Sequence, residues 1–541
     1  MTALRLKQLG IACLCAVVFG VGFASAQSGY TFSGTINSNN VRDWYAIPLR
    51  AGEAIVVTAD AIDSALDTVI SLYPPGSDQS VANNDDRDFD SLNSAFGYIA
   101  EETGVYTLEI TRYEGSVESG DYEATVIVGS EEIFSILAAI TRVNLGESAR
   151  FVDTEHFRIH YTLDGKDAIT EDYLDAVVLA IEDSYTFQIE ELGFTPPPSD
   201  DWMGGDSRYD VYLKDLIGTG EGALGYAVPE SVVSDNPNSP ETETRSSTGY
   251  LLVENDFHDV DGGTPIQLMR ATIAHEFHHI VQFGYDHDDS HGWISEATST
   301  YMETITFPED QDATGYVAYA YQYPELCFGT VDDPGFGQLQ YGEWAAVQMM
   351  ADTYGQAFVA DLWRNIAQYD GFEAIETTLS AYGTQTLPDL IAAYRTRNLA
   401  RDYDLAPLFD ATVWLEEVIT DAGRWTYTGE GIQELGANYF SVGLDEGAYY
   451  AGLINDDGAL TLYALGVNAD QVDVIPLERG GVIEPASYEH FYLMVFNPNY
   501  DENLTDCVYY DYEIDVSASD GKSEPVAPAF TWNARYFEAL R

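Results

Sequence analysis

Histidine is scarce in this 541-residue chain: there are nine, and six of them fall between His258 and His291. Within that stretch stands His275-Glu276-Phe277-His278-His279, an H-E-x-x-H pattern. On a helix of 3.6 residues per turn, His275 and His279 share one face. Two imidazoles at that spacing can grip one Zn²⁺, with Glu276 beside the metal to take a proton from water. At this histidine content a chance match is improbable, on the order of one in a hundred. A catalytic zinc takes three protein ligands and keeps one position open. The best third ligand is Glu296, seventeen residues past His279, with His287 and His291 as rivals. His278 points away from the pair and reads as structural.

Such a pattern works only on a helix, and the flanking residues specify one. Thr264 suits the N-cap, Pro265 the first helical position, and Gln267 completes a Thr-x-x-Gln capping box. Ile266, Met269, Ile273, Phe277 and Ile280 recur at helical spacing as a buried face, and Gly284 fits the stop. A second helix carries Glu296 and, seven residues on and on the same face, Glu303. A carboxylate there is placed to accept the second N–H of a ligand histidine. Upstream, Phe157–Thr162, Tyr209–Leu213 and Gly249–Asn255 alternate or run apolar like strands, and Ile169–Leu192 has helical periodicity. The Ser-, Pro-, Asn- and Thr-rich stretch Pro229–Ser247 reads as a mobile surface loop.

The run Trp293-Ile294-Ser295-Glu296-Ala297-Thr298-Ser299-Thr300-Tyr301-Met302-Glu303, following H-E-x-x-H, resembles the gluzincins, zinc peptidases whose third ligand is a Glu on a following helix. Its Trp-x-x-Glu-x-x-x-x-Tyr-x-Glu spacing is similar to that of the alanyl aminopeptidase and hyicolysin families. Ala297 stands where those families usually have Gly, and the interval to the third ligand is slightly short. The metzincin pattern fails, because Gln282 and Tyr285 occupy its Gly and His positions. The resemblance implies an α+β, zincin-like catalytic domain over about residues 140–405, in which the strand Gly249–Asn255 forms a sheet edge that pairs with substrate. Its Glu254-Asn255 ending resembles the Gly-x-Met-Glu-Asn motif of the aminopeptidases, without the Met and at a shorter spacing. Tyr341, opening a further helix in Gln340-Tyr341-Gly342-Glu343-Trp344, resembles the aminopeptidase Tyr that donates to the tetrahedral intermediate. A phenolic donor beside a developing oxyanion answers a real chemical need. With 38 tyrosines in the chain, a packing role is the alternative.

Residues 1–26 read as an export signal: Arg5 and Lys7, an apolar run from Leu9 to Phe23, then Ala24-Ser25-Ala26. An uncleaved anchor is the alternative reading. Cys13 and Cys15 fall inside it, leaving Cys327 and Cys507 to pair or stay free in the mature chain. No other segment is apolar enough for a membrane helix, so a soluble, secreted protein is expected. The net charge is −67, and loss of Arg5 and Lys7 makes it about −69. That argues against nucleic acid and anionic membranes as partners.

Residues 27–130 alternate short apolar strands with Gly, Asn, Asp and Ser turns, as a β-sandwich does. Asp43-Trp44-Tyr45, Leu66-Asp67-Thr68, Asn84-Asp85-Asp86 and Gly120-Asp121-Tyr122 resemble the bacterial pre-peptidase C-terminal (PPC) domain over nearly its full length. The resemblance implies an accessory role in a secreted peptidase. Asp85, Asp86 and Asp88 could hold Ca²⁺ through oxygen, or form an ordinary acidic turn. Residues 410–541 repeat the strand-and-turn texture in Asn438–Val442, Leu460–Leu465, Phe491–Phe496 and Tyr512–Val516, which predicts a second accessory β-sandwich.

The expectation is a multidomain chain: a zincin-like α+β domain flanked by two all-β sandwiches. It would cleave protein or peptide substrates, with His275, His279 and Glu296 on zinc, Glu276 as general base, Tyr341 as oxyanion donor and Glu303 behind a ligand. Endopeptidase action is preferred because no residue clearly anchors a substrate amino terminus. The alternatives are an aminopeptidase and a non-catalytic cell-surface binding protein.

Overall fold

The computed structural model describes residues 28–540 apart from 63–65, 78, 86, 88–91, 114–118, 131–132, 147, 201, 220–222, 259, 289–290, 331–337, 384, 427–430, 457 and 502–506. The leader and the candidate calcium ligands Asp86 and Asp88 lie outside the described residues. The chain is multidomain, with five sheets and several helices among the described residues. It divides into two compact units. The first takes the described residues through Tyr185, with Thr195–His258 and Ile280–His287; the second takes Thr186–Phe194, Asp259–His279 and Asp288–Arg541.

In the first unit, two four-stranded antiparallel sheets share a core. One orders Ser28–Ile36, Gly120–Gly129, Ala54–Ala61 and Ser94–Ile99; the other Asp43–Leu49, Gly104–Arg112, Thr68–Tyr73 and Ala82–Asn84. Period-two alternation turns Tyr122, Ala124 and Val126 inward against Ile47, Ile55, Leu72 and Leu108, leaving Asp121 and Glu123 in solvent. Two tyrosine motifs meet there: the Tyr122 hydroxyl donates to Asp43 Oδ2 at 2.8 Å and lies 2.7 Å from the Tyr45 hydroxyl.

The same unit holds a five-stranded mixed sheet, ordered Gly225–Ser234, Ser246–Glu254, Tyr209–Lys214, Phe157–Tyr161 and Arg150–Asp153. Its three central strands are parallel and its outer two antiparallel. Ser246–Glu254 is buried along its whole length, and its centre, Tyr250-Leu251-Leu252-Val253, is accordingly a continuous apolar run rather than an alternating one. It is therefore not the sheet edge. The edge is Gly225–Ser234, part of which the composition marked as a loop. Tyr226, Val228 and Val232 supply β-propensity there, and the pairing shifts register after Pro229, as an edge strand with a proline can tolerate. Behind this sheet, Arg142 is buried among three carboxylates. Its Nη1 is 2.5 Å from Asp210, its Nη2 2.6 Å from Glu230, and it also bonds Asp200. A guanidinium taken out of water needs that many partners.

The expected helix over Ile169–Leu192 forms as an α-helix through Glu171–Tyr185 and then widens into a π-helical turn, Thr186–Glu191. In the second unit the main helices are the first part of Pro265–Phe283, Gly292–Thr306, Trp344–Tyr354, Ala357–Ile366, Gly371–Tyr382 and Leu387–Ala400. A six-stranded sheet and a four-stranded sheet follow, sharing a core that includes Phe440, Leu453, Leu462, Leu493 and Ile514. The sheets are tied to the last helix by the Tyr439 hydroxyl on the Arg395 carbonyl (2.8 Å) and the Trp532 indole N–H on Thr396 (3.0 Å). Cys327 and Cys507, 180 residues apart, are joined by a disulfide. Among the described residues no helix is long and apolar enough to cross a membrane.

Candidate metal centre

The helix that carries His275 begins with the capping box its sequence specifies. Thr264 Oγ1 accepts from Gln267 N at 3.4 Å, and Gln267 Oε1 accepts from Thr264 N at 3.1 Å. Met269, Ile273, Phe277 and Ile280 are buried as expected, but Ile266 is 38% exposed, because the first turn has not yet entered the core. The helix ends at Phe283. Gly284 is not a left-handed cap: a Cβ there would come within 3.1 Å of both the Pro197 Cα and the Val281 carbonyl, so glycine admits a close approach. The second site helix, Gly292–Thr306, is buried over most of its length and presents Ser295, Glu296, Ser299 and Glu303 to the first.

Three ligand atoms converge between these helices. His275 Nε2 lies 3.1 Å from His279 Nε2 and 3.2 Å from Glu296 Oε2, and His279 Nε2 lies 3.5 Å from the same oxygen. Lone pairs aimed at one point repel unless positive charge sits among them. For Zn²⁺ at about 2.0–2.1 Å, tetrahedral angles place neighbouring ligand atoms about 3.3 Å apart. The donor set and its spacing fit such a cation, and these three residues could hold it. His287 and His291 do not join the set. The His287 Nδ1 is 2.6 Å from the Arg245 carbonyl, and His291 is buried beside Phe372.

Each imidazole of the pair has a partner at its other nitrogen. His275 Nδ1 is 2.7 Å from Glu303 Oε1. His279 Nδ1 is 3.2 Å from both the Ser295 and Ser299 hydroxyls. The two serines were not singled out in the sequence, although they flank Glu296 one turn apart on its own helix. The Tyr341 ring stacks on His275 at 5.9 Å and 25°. Tyr341 sits on a short helical turn, Leu339–Gly342, separated by Glu343 from the helix expected to continue it.

Electrostatics follow from burial and these contacts. Burial holds the His275 imidazole down, but hydrogen bonds to Glu296 and Glu303 outweigh it and lift it well above its ordinary value. Burial pushes Glu296 up, yet the His279 and His275 charges overcome it and hold the carboxylate far below its usual range. Glu303 is pushed up to about 7 by burial, with His275 opposing. Burial, then the charges of Glu296 and Glu276, raise Tyr341, which keeps its phenol protonated at neutral pH. Glu276 is half-buried, and its charge acts on both His275 and Tyr341.

Elsewhere, Asp85 lines a cavity of about 580 Å³ in the first unit with Arg42, Asn83, Asn84, Arg112 and Tyr113. Its charge, after burial, raises the neighbouring Asp67.

Residues 262–443, which contain both site helices and Tyr341, match the model of a "Family of unknown function (DUF6055)". No curated protein matches the chain. Among solved structures it is similar to the pre-peptidase C-terminal domain of a collagenase from Bacillus anthracis, at 16% identity over 18% of this chain and 88% of that one (TM-score 0.15). It is likewise similar to the periplasmic g-type lysozyme inhibitor PliG of Aeromonas hydrophila, at 16% identity over 20% and 92% (TM-score 0.16). The M60 catalytic domain of Clostridium perfringens ZmpB with its CBM51-1 and CBM51-2 domains matches at 12% identity over 89% of this chain and 53% of that one (TM-score 0.24). These likenesses are too weak to carry an argument.

Proposed function

We propose that the chain is a secreted zinc-dependent endopeptidase, a zincin-like domain with accessory β-sandwiches on either side. The observation that carries this reading is the convergence of His275 Nε2, His279 Nε2 and Glu296 Oε2 beside Glu276. Bound zinc would supply Lewis acidity, lowering the pKa of a water and polarising the scissile carbonyl. Glu276 takes a proton from the attacking water and gives it to the leaving amine, acting as base and then acid. Glu303 and the Ser295–Ser299 pair fix the ring orientation of the two histidines. Tyr341, kept protonated, donates to the oxygen on which negative charge develops as water adds to the carbonyl.

Endopeptidase action is favoured over aminopeptidase action by Glu254. In the sequence this residue, with Asn255, resembles the end of an aminopeptidase motif, without its Met and at a shorter spacing. Here it is buried, and its Oε2 accepts the backbone N–H groups of Leu216 at 2.7 Å and Ile217 at 3.0 Å, which supports a structural role. Export is supported by the Cys327–Cys507 disulfide, since such bonds persist in oxidising compartments.

The test is casein hydrolysis by the mature chain beside Glu276→Gln, with zinc content measured in both. The parent should bind zinc and cleave, and the variant should keep zinc while losing about 10²–10⁴-fold in rate. Zinc-loaded parent that cleaves neither casein nor blocked peptides would overturn the proposal.

A further inference from the structure

Gln188 belongs to none of the sequence motifs, yet it is fully buried and uses both ends of its amide on the helix that carries His275 and His279. Its Nε2 donates to the Ala274 carbonyl at 2.9 Å, and its Oε1 lies 2.9 Å from His278 Nδ1. A carbonyl can only accept, so the amide nitrogen must face Ala274 and the oxygen must face His278. His278 therefore donates from Nδ1. Ala274 and His278 are one helical turn apart, and each immediately precedes a ligand histidine. The amide thus spans, one residue back, the same turn that His275 and His279 span.

The surroundings fix both partners of this clamp. The fully buried His278 ring is packed edge-on by Phe194 at 4.9 Å and by Trp363 at 6.3 Å. Gln188 sits in the π-helical turn Thr186–Glu191. Such turns are rare, and their altered pitch re-aims side chains that an α-helix would point elsewhere.

We infer that Gln188 is a positioning residue for the metal centre. Its amide clamps the His275–His279 turn and so holds the two Nε2 atoms at the separation one cation requires. The inference rests on the zinc reading of that site. Ligand atoms displaced by a fraction of an ångström bind a metal less well, and a turn free to stretch would displace them.

The test uses the whole mature chain with zinc as the only added ligand. Zinc affinity is measured by competition with a chromogenic chelator, and cobalt-loaded protein reports coordination geometry through its ligand-field absorption. Gln188→Met keeps much of the volume and removes both hydrogen bonds. His278→Phe breaks the clamp from its other end while keeping a ring between Phe194 and Trp363, and it carries the test should the first variant not fold. Each is expected to bind zinc about ten-fold more weakly, with a shifted cobalt spectrum. A glutamine with a merely structural role would lower the unfolding midpoint of the chelator-stripped protein and leave the zinc affinity of folded molecules unchanged. Parental zinc affinity and cobalt absorption in a folded variant overturn the inference. A parent that binds no zinc sinks the function reading and this inference together, and that result is visible before either variant is made.

Discussion

A histidine that ligates through Nε2 still has an N–H to place, and its destination sets how firmly the ring is held. His275 gives its Nδ1 proton to a buried carboxylate, Glu303, at 2.7 Å, whereas the His279 Nδ1 lies beside the neutral hydroxyls of Ser295 and Ser299, each at 3.2 Å. The two rings are thus held unequally, and the charged contact should matter more. Glu303→Gln retains an acceptor of the same size but loses the charge. It is expected to weaken zinc binding by roughly 10–100-fold, measured by chelator titration. Ser299→Ala should cost less, because Ser295 remains; equal losses in the two variants would show that charge is not what distinguishes the rings. Glu303 was legible in the sequence because it shares a helix face with Glu296. Gln188 was not: it lies 90 residues from its partner His278, and no local pattern encodes a contact that distant.

The helices of the site declare themselves where chemistry is local. Thr264, Pro265 and Gln267 specify a start within four residues, and the capping box forms there. Thr264→Ala should cost about 1 kcal/mol of stability, read from denaturant midpoints. It should leave zinc affinity unchanged, because His275 lies several turns further along a helix whose later turns are packed. A large loss of zinc affinity would mean that fraying at the cap reaches the metal. The sheet edge was harder to read. Which strand is outermost depends on whether Gly225–Ser234 finds a partner, and its Pro229 and serines carry the composition of a loop. Strand identity there comes from pairing with a fully buried neighbour, a tertiary fact. The stop at Gly284 was placed correctly for a different reason from the one its residue type suggests, since what glycine allows there is the approach of Pro197.

For the molecule as a whole, buried acids couple stability to pH. Glu343 is buried, accepts the Gly329 N–H at 3.1 Å, and is pushed up to about 8 by burial, with Arg395 opposing. Unfolded, its carboxyl would titrate near 4.5. Between those values the folded chain holds a proton that the unfolded chain has released, so stability falls as pH rises. This contribution is fully present below the unfolded value and is lost as pH passes through about 8. Its upper limit is on the order of 4–5 kcal/mol. Glu343→Gln removes the titration, so urea midpoints measured from pH 5 to pH 8.5 should decline less steeply than in the parent. Parallel curves would show that Glu343 titrates alike in both states. The pairing of Cys327 with Cys507 was one of two outcomes left open by the sequence, because two cysteines 180 residues apart carry no local signal of proximity.

That disulfide also sets an order of events in time. On a ribosome adding about 5–20 residues per second, Cys327 emerges roughly 10–40 seconds before its partner has been made. Throughout that interval it is a thiol without its partner on an unfinished chain. The covalent closure of the second unit therefore comes late, after the helices of the candidate metal centre have been synthesised. The bond can close only on a chain that already contains both His275 and Glu296.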